Sequence, residues 1–147
     1  IHRKEDIDNV KNGSLKLKME DCNPEGFLKE YGDRIEAKYV EKKLFNTTHK
    51  YAGRADIIGR FDGEWSIMDV KTAGNYTPDK LIDYWKQQAA YANCVIPPLK
   101  KMVILPINPT TPTGYDAPLI ETDVEHYFNL FLKDLKHLHD TYLISSI

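Results

Sequence analysis

An Asp-Gly pair set between two apolar-rich runs constrains this chain most. Asp62-Gly63 separates Tyr51–Phe61 from Glu64–Thr72. Asp-Gly in that position favours the two-residue turn whose twist suits antiparallel strands, so the stretch predicts a β-hairpin. Side chains alternate in face along a strand. Trp65, Ile67, Asp69 and Lys71 therefore share one face, and Ser66, Met68, Val70 and Thr72 share the other. A carboxylate and an ammonium thus lie beside Trp and Ile, although burying charge is costly unless it is paired or bound to metal. Asp56 repeats the anomaly on the first strand, between Ala55 and Ile57. Two aspartates and a lysine on paired strands predict one polar site on a sheet. Asp69 and Lys71 alone could be an ion pair at a sheet end, but that leaves Asp56 unexplained.

The rest of the chain supplies layers for that sheet. Residues 34–46 alternate as a strand, with Ile35, Ala37, Tyr39 and Glu41 on one face. Glu41 either extends that face with a carboxylate or lies exposed at a frayed end beside Lys42 and Lys43. Glu36 shares its parity with Lys38 and Lys42, a solvent-type face. Lys101–Ile107 is apolar enough for a buried strand that exits near Pro106, and residues 108–118 read as a loop. Asn23-Pro24 predicts the start of a short helix over 24–31, and Thr77-Pro78-Asp79 the start of one running to about Cys94. Leu81, Tyr84, Gln88, Tyr91 and Val95 form the stripe of that second helix. Thr122-x-x-Glu125 reads as a capping box opening a long helix to about Leu143. Its stripe is Val124, Phe128, Phe131, Leu135, Leu138 and Tyr142. His137 and His139 are two apart on it, so they point apart and suit a surface better than a shared metal. Residues 2–12 read as the end of a helix stopped by Gly13. The expected class is α/β: one domain over residues 1–147, with a mixed sheet of four or five strands and helices on both sides.

Composition narrows the functions. Cys22 and Cys94 are the only cysteines, which excludes a self-contained four-cysteine zinc or iron–sulfur site and fits a reducing cytoplasm. No apolar run is long enough for a membrane span and nothing reads as a signal peptide. The first residue is Ile1, which predicts a preceding segment. A net charge of −2 weighs mildly against nucleic-acid binding, unless a local basic patch or a bound cation supplies the attraction.

Gly53-Arg54-Ala55-Asp56 followed by Asp69-Val70-Lys71 resembles the G-x-x-D … D-x-K pattern of the PD-(D/E)XK nuclease superfamily. Thr72 and Gln87-x-x-x-Tyr91 make it similar to the RecB-like and phage-exonuclease-like branch. The likeness spans roughly residues 2 to 95. It implies a restriction-endonuclease-like core, with Asp56 and Asp69 as principal ligands of Mg²⁺, for which Mn²⁺ often substitutes. His2, Glu41 and the backbone carbonyl of Val70 would be supplementary ligands. His2 precedes Glu5 and Gly13 in the order the family shows, although a terminal surface histidine explains it as well. Lys71 would position the attacking water or stabilise the phosphate. Gln87 and Tyr91, four apart on one helical face, would meet nucleic acid, or else Tyr91 is core with Gln87 at its edge.

The expected function is therefore a metal-dependent deoxyribonuclease. Its branch suggests an exonuclease processing DNA ends in recombination, repair or phage DNA metabolism. Homo-oligomers or a recombination partner protein would be its companions. The alternatives are a nuclease-fold DNA-binding module without catalysis, and a structure-specific or restriction-like endonuclease.

Overall fold

Asp62 and Gly63 both take positive φ, 52° and 82°, the combination a tight hairpin turn of this kind requires. They join β2 (Tyr51–Phe61) to β3 (Glu64–Lys71), as the Asp-Gly pair predicts. The computed structural model describes residues 24–72 and 76–145. Arg34 braces the turn from outside. Its guanidinium meets both Asp62 carboxylate oxygens at 2.7 Å, and its carbonyl accepts from the Asp62 amide at 2.9 Å.

Among the described residues the sheet around this hairpin has five strands in the order β1-β2-β3-β4-β5. The others are β1 (Ile35–Asn46), β4 (Lys101–Pro106) and β5 (Leu119–Glu121). The β1–β2, β2–β3 and β4–β5 pairs are antiparallel, while β3 and β4 run parallel. A parallel pair needs a long crossover, here helix α2 (Pro78–Ala92). Thr77 caps α2 by accepting from the Lys80 amide, with Pro78 in the first turn. Helix α1 (Pro24–Tyr31) precedes the sheet and α3 (Val124–Ser145) follows it.

Both sheet faces are covered among the described residues. Phe27 of α1 packs with Ile35, Ala37, Ile57, Met68 and Val70 on one face. On the other, Trp85, Ala89 and Ala92 of α2 and Val124 of α3 pack with Leu44, Ile58, Ile67 and Ile104. Every residue of β4 is buried, as expected for a strand paired on both sides and covered on both faces. Lys101 remains buried because its ammonium bonds the Phe61 carbonyl at 3.2 Å.

Two expectations are corrected. Ile35, Ala37, Tyr39 and Glu41 do not share a face. The β1–β2 register shifts between Ala37 and Tyr39, so Ala37 packs toward α1 while Tyr39 packs toward α2. One extra residue in a strand exchanges the faces beyond it. Thr122 is not the cap of α3. The helix begins at Val124, and Asp123 accepts from the His126 amide at 3.3 Å. The capping-box pattern lies one residue off because Glu121 takes the amides of Thr122 and Asp123 instead. The stretch after residue 118 also forms β5, a strand too short to show a pattern.

The bulge presses β1 against Gly59. A Cβ there would run into the Glu36 carbonyl oxygen and the Ala37 Cα, which are backbone atoms with little freedom to yield. Gly59→Ala should destabilise the fold by about 1–3 kcal/mol, measured as a lower urea midpoint at unchanged slope.

Candidate active site

The β2–β3 ladder stops short. Its last registered pair is Ile57↔Met68. Beyond it β2 stays with β1 as far as Asn46↔Tyr51. Asp69, Val70 and Lys71 pair instead with Ile104, Leu105 and Pro106 of β4. The two strands of the hairpin therefore fork. At the fork the Asp56 side chain does the work of the missing strand carbonyl: its Oδ2 accepts from the Val70 amide at 3.0 Å. A short polar side chain in an apolar strand is thus held by a main-chain donor.

Asp69 lies beside it and is only 7% exposed. Burial pushes its carboxyl up to about 7, and a hydrogen bond to Asp56 with the repulsion between the two carboxylates adds to that. Lys71 opposes the shift, its ammonium 2.8 Å from Asp69 Oδ2. The trio that the hairpin pattern singles out is therefore brought together. Both the ion pair and the second carboxylate exist, and they meet at one place.

Helix α2 roofs the fork. The Lys71 ammonium sits 4.6 Å from the centre of the Tyr84 ring. Tyr91 packs so closely on the β2 backbone that a Cβ at Gly53 would collide with its ring, which explains the glycine of Gly53-Arg54-Ala55-Asp56. Burial raises the Tyr91 hydroxyl's pKa, a hydrogen bond to Gln87 lowers it, and the charges of Asp69 and Lys71 are both felt there. Gln88 is buried, as the stripe's spacing predicts, and Gln87 is exposed. Tyr51 and Asn46 tie this end of the hairpin to the helix through the carbonyls of Ala90 and Asn93.

Two neighbours, Tyr76 and Asp116, escape sequence reasoning. Burial pushes the Tyr76 hydroxyl up to about 12, with Tyr84, Asp116 and Asp69 adding to the shift. Tyr76 meets the Tyr84 ring edge-on at 6.3 Å, and Asp116 accepts from Asn108 at 2.8 Å. Tyr84 was legible as part of the α2 stripe, but Tyr76 and Asp116 sit in loops that only the tertiary fold folds back.

Glu41 falls between the registered pairs Val40↔Ile57 and Lys42↔Ala55, which sets it across the ladder from Asp56. It is exposed, with φ of 52°, rather than at the end of an apolar face. His2 lies outside the described residues, as do Glu5, Gly13 and Cys22. Among the described residues no three His, Cys, Asp or Glu side chains gather into a metal-holding group. Two crowded carboxylates with one buried and raised toward neutrality nevertheless suit a hard divalent cation. Mg²⁺ is commonly held by one or two carboxylates, with water and phosphate oxygens completing its shell.

The chain matches no protein-family model and no curated protein. Among the described residues no helix is long and apolar enough to cross a membrane.

Metal-free Asp69 keeps its proton up to about pH 7 when folded and loses it near 3.8 when unfolded. Between these values the native state binds the extra proton, so its contribution to stability falls as pH rises. In EDTA, the thermal midpoint should drop between pH 5 and pH 8. Asp69→Asn, which keeps the shape without the titration, should flatten that drop and be the more stable form at pH 8.

Proposed function

We propose that the chain is a metal-dependent nuclease of the PD-(D/E)XK type with a restriction-endonuclease-like core, acting on DNA ends as an exonuclease. The observation that carries this reading is the meeting of Asp56, Asp69 and Lys71 where β2 and β3 part. Phosphodiester hydrolysis needs a nucleophilic water, relief of charge on the phosphate, and help for the leaving oxygen. Bound Mg²⁺, or Mn²⁺ in its place, would act as a Lewis acid and lower the pKa of its water.

Asp56 and Asp69 would hold the cation, with the Val70 carbonyl, Glu41 and His2 as supplementary ligands. The bond from the Val70 amide fixes Asp56, so one ligand is oriented before anything binds. Lys71 is restrained by Asp69 on one side and by Tyr84 on the other. A held ammonium beside the reacting phosphate stabilises developing negative charge and orients the water. Gln87 and Tyr91 would flank the bound strand. The exonuclease preference and a setting in recombination, repair or phage DNA metabolism come from the branch that the motifs resemble.

A DNA-binding module on the same scaffold is the second reading. It is favoured by the pairing of only two acidic side chains at the site among the described residues. Wild type, Lys71→Ala and Asp69→Asn incubated with end-labelled linear DNA and closed circular DNA separate the two. With Mg²⁺ or Mn²⁺ the linear DNA should be degraded, EDTA should abolish this, and each variant should lose about 100-fold or more in rate. Sparing of the circle indicates an exonuclease, and its cleavage an endonuclease. Binding with no cleavage in either metal leaves the binding module.

A further inference from the structure

At the other end of β3 an aromatic ring stays open to solvent. Trp65 is 42% exposed, whereas the chain's other tryptophan, Trp85, is 6% exposed in the core. Two cations flank the Trp65 ring: Arg60 at 5.1 Å and Lys38 at 5.3 Å from its centre. The series continues along edge strand β1. Lys38 also lies 5.7 Å from the Tyr39 ring, and Lys42 lies 5.0 Å from the same ring. Cations and rings thus alternate from Arg60 to Lys42, one residue from Glu41, which stands across the ladder from Asp56. Trp65 and Asp69 occupy the same strand face four residues apart, about 13 Å at the usual rise.

Trp65 and Tyr39 also line a groove of about 550 Å³, with Ile58, Pro97, Pro98 and Lys100 among the other walls. That volume is in the range of small-molecule sites, about 300–1,000 Å³. Lysines on an edge strand discourage strand addition, which accounts for Lys38 and Lys42 but not for an open tryptophan at the mouth of a groove. None of Lys38, Lys42 and Arg60 has a carboxylate within ion-pair distance among the described residues, although Glu36 is the cross-strand neighbour of Arg60. Glu64 at the groove is taken up by Lys101, 3.8 Å away. Among the described residues nothing neutralises these positive charges, which suits them to an anion. An exposed ring and a half-buried one, interleaved with cations that have no ion-pair partner among the described residues, suit a chain of stackable bases joined by phosphates, and every base offers a π-face.

We propose that this groove seats an unpaired base of a nucleic-acid strand on Trp65, with Lys38, Lys42 and Arg60 holding phosphates of the same strand. The direction of the track, toward Asp56 and Asp69, rests on the nuclease reading; the seat itself does not. A duplex keeps its bases stacked inside, so the seat selects single strands or unwound ends.

The test uses the 147-residue chain in EDTA, where no cleavage can occur, with oligo(dT) as the probe. Oligo(dT) should quench the emission of exposed Trp65. Trp65→Ala should bind about ten-fold more weakly, and Trp65→Phe should retain most of the affinity while losing most of the quench. Lys38→Gln should make the salt dependence shallower, by about 0.7 in the slope of log K against log salt for one phosphate on a single strand. Circular dichroism confirms that each variant folds. Unchanged affinity in Trp65→Ala, or the absence of quenching, overturns the seat, and equal quenching by a duplex of the same length overturns its choice of unpaired bases. Normal oligo(dT) binding by a chain that leaves linear DNA uncut in both Mg²⁺ and Mn²⁺ overturns the nuclease reading and leaves the seat standing.

Discussion

One hydrogen bond organises the centre of this molecule: the Val70 amide donating to the Asp56 carboxylate. A strand that leaves its partner strands its amides, and a buried unpaired amide is costly. Asp56 removes that cost at the first residue past the last β2–β3 pair. It thereby lets β3 turn its allegiance wholly to β4 while β2 remains with β1. The opening so created is covered by α2, whose Tyr91 ring rests on Gly53 and whose Tyr84 ring faces Lys71. Without the fork, Asp69 and Lys71 would be two charges in a closed ladder. With it they lie beneath α2 beside Asp56, whose side chain reaches across the gap to the Val70 amide.

The fork also sets the electrostatics. Asp69 is buried beside a carboxylate that already has its partner, so its own charge is disfavoured and its pKa rises to about 7. Lys71 offsets this only in part. Elsewhere the charges are sorted by position: acids gather at the fork, whereas Lys38, Lys42 and Arg60 lie against the rings of Tyr39 and Trp65. A net charge of −2 is thus an average over regions of opposite sign. The overall balance says little about what such a surface attracts, because screening in salt limits each charge to its own neighbourhood, about 10 Å at 0.1 M.

Much of this was legible in advance where the signal is local. The Asp-Gly turn, the ends of β2 and β3, the Thr77 cap with Pro78, and the gathering of Asp56, Asp69 and Lys71 all follow from short-range pattern. Glu41 shows where such reasoning stops. Its face was inferred by counting parity from Ile35, and a single extra residue between Ala37 and Tyr39 invalidates the count. Thr122 and Glu125 show the same weakness: they satisfy a capping pattern, but Glu121 takes the amides and moves the helix start to Val124. Tyr76 and Asp116 carried no signal, since a loop residue's neighbours depend on where the chain returns.

The sequence by itself determined the hairpin, the alternation that sets carboxylates within apolar strands, and the helix that follows. These depend on backbone sterics and on periods of two and 3.6 residues, which act within a few positions. Only the tertiary structure decided that β3 leaves β2 for β4, that Asp56 answers the Val70 amide, and that Tyr76, Tyr84 and Tyr91 close over the carboxylates. It also decided that Trp65 stays open at the far end of the strand while Ile67, on the same face, is sealed beneath α2. Those outcomes turn on which surfaces of distant segments fit together and on which buried polar groups find partners there, and neither is set within a few residues along the chain.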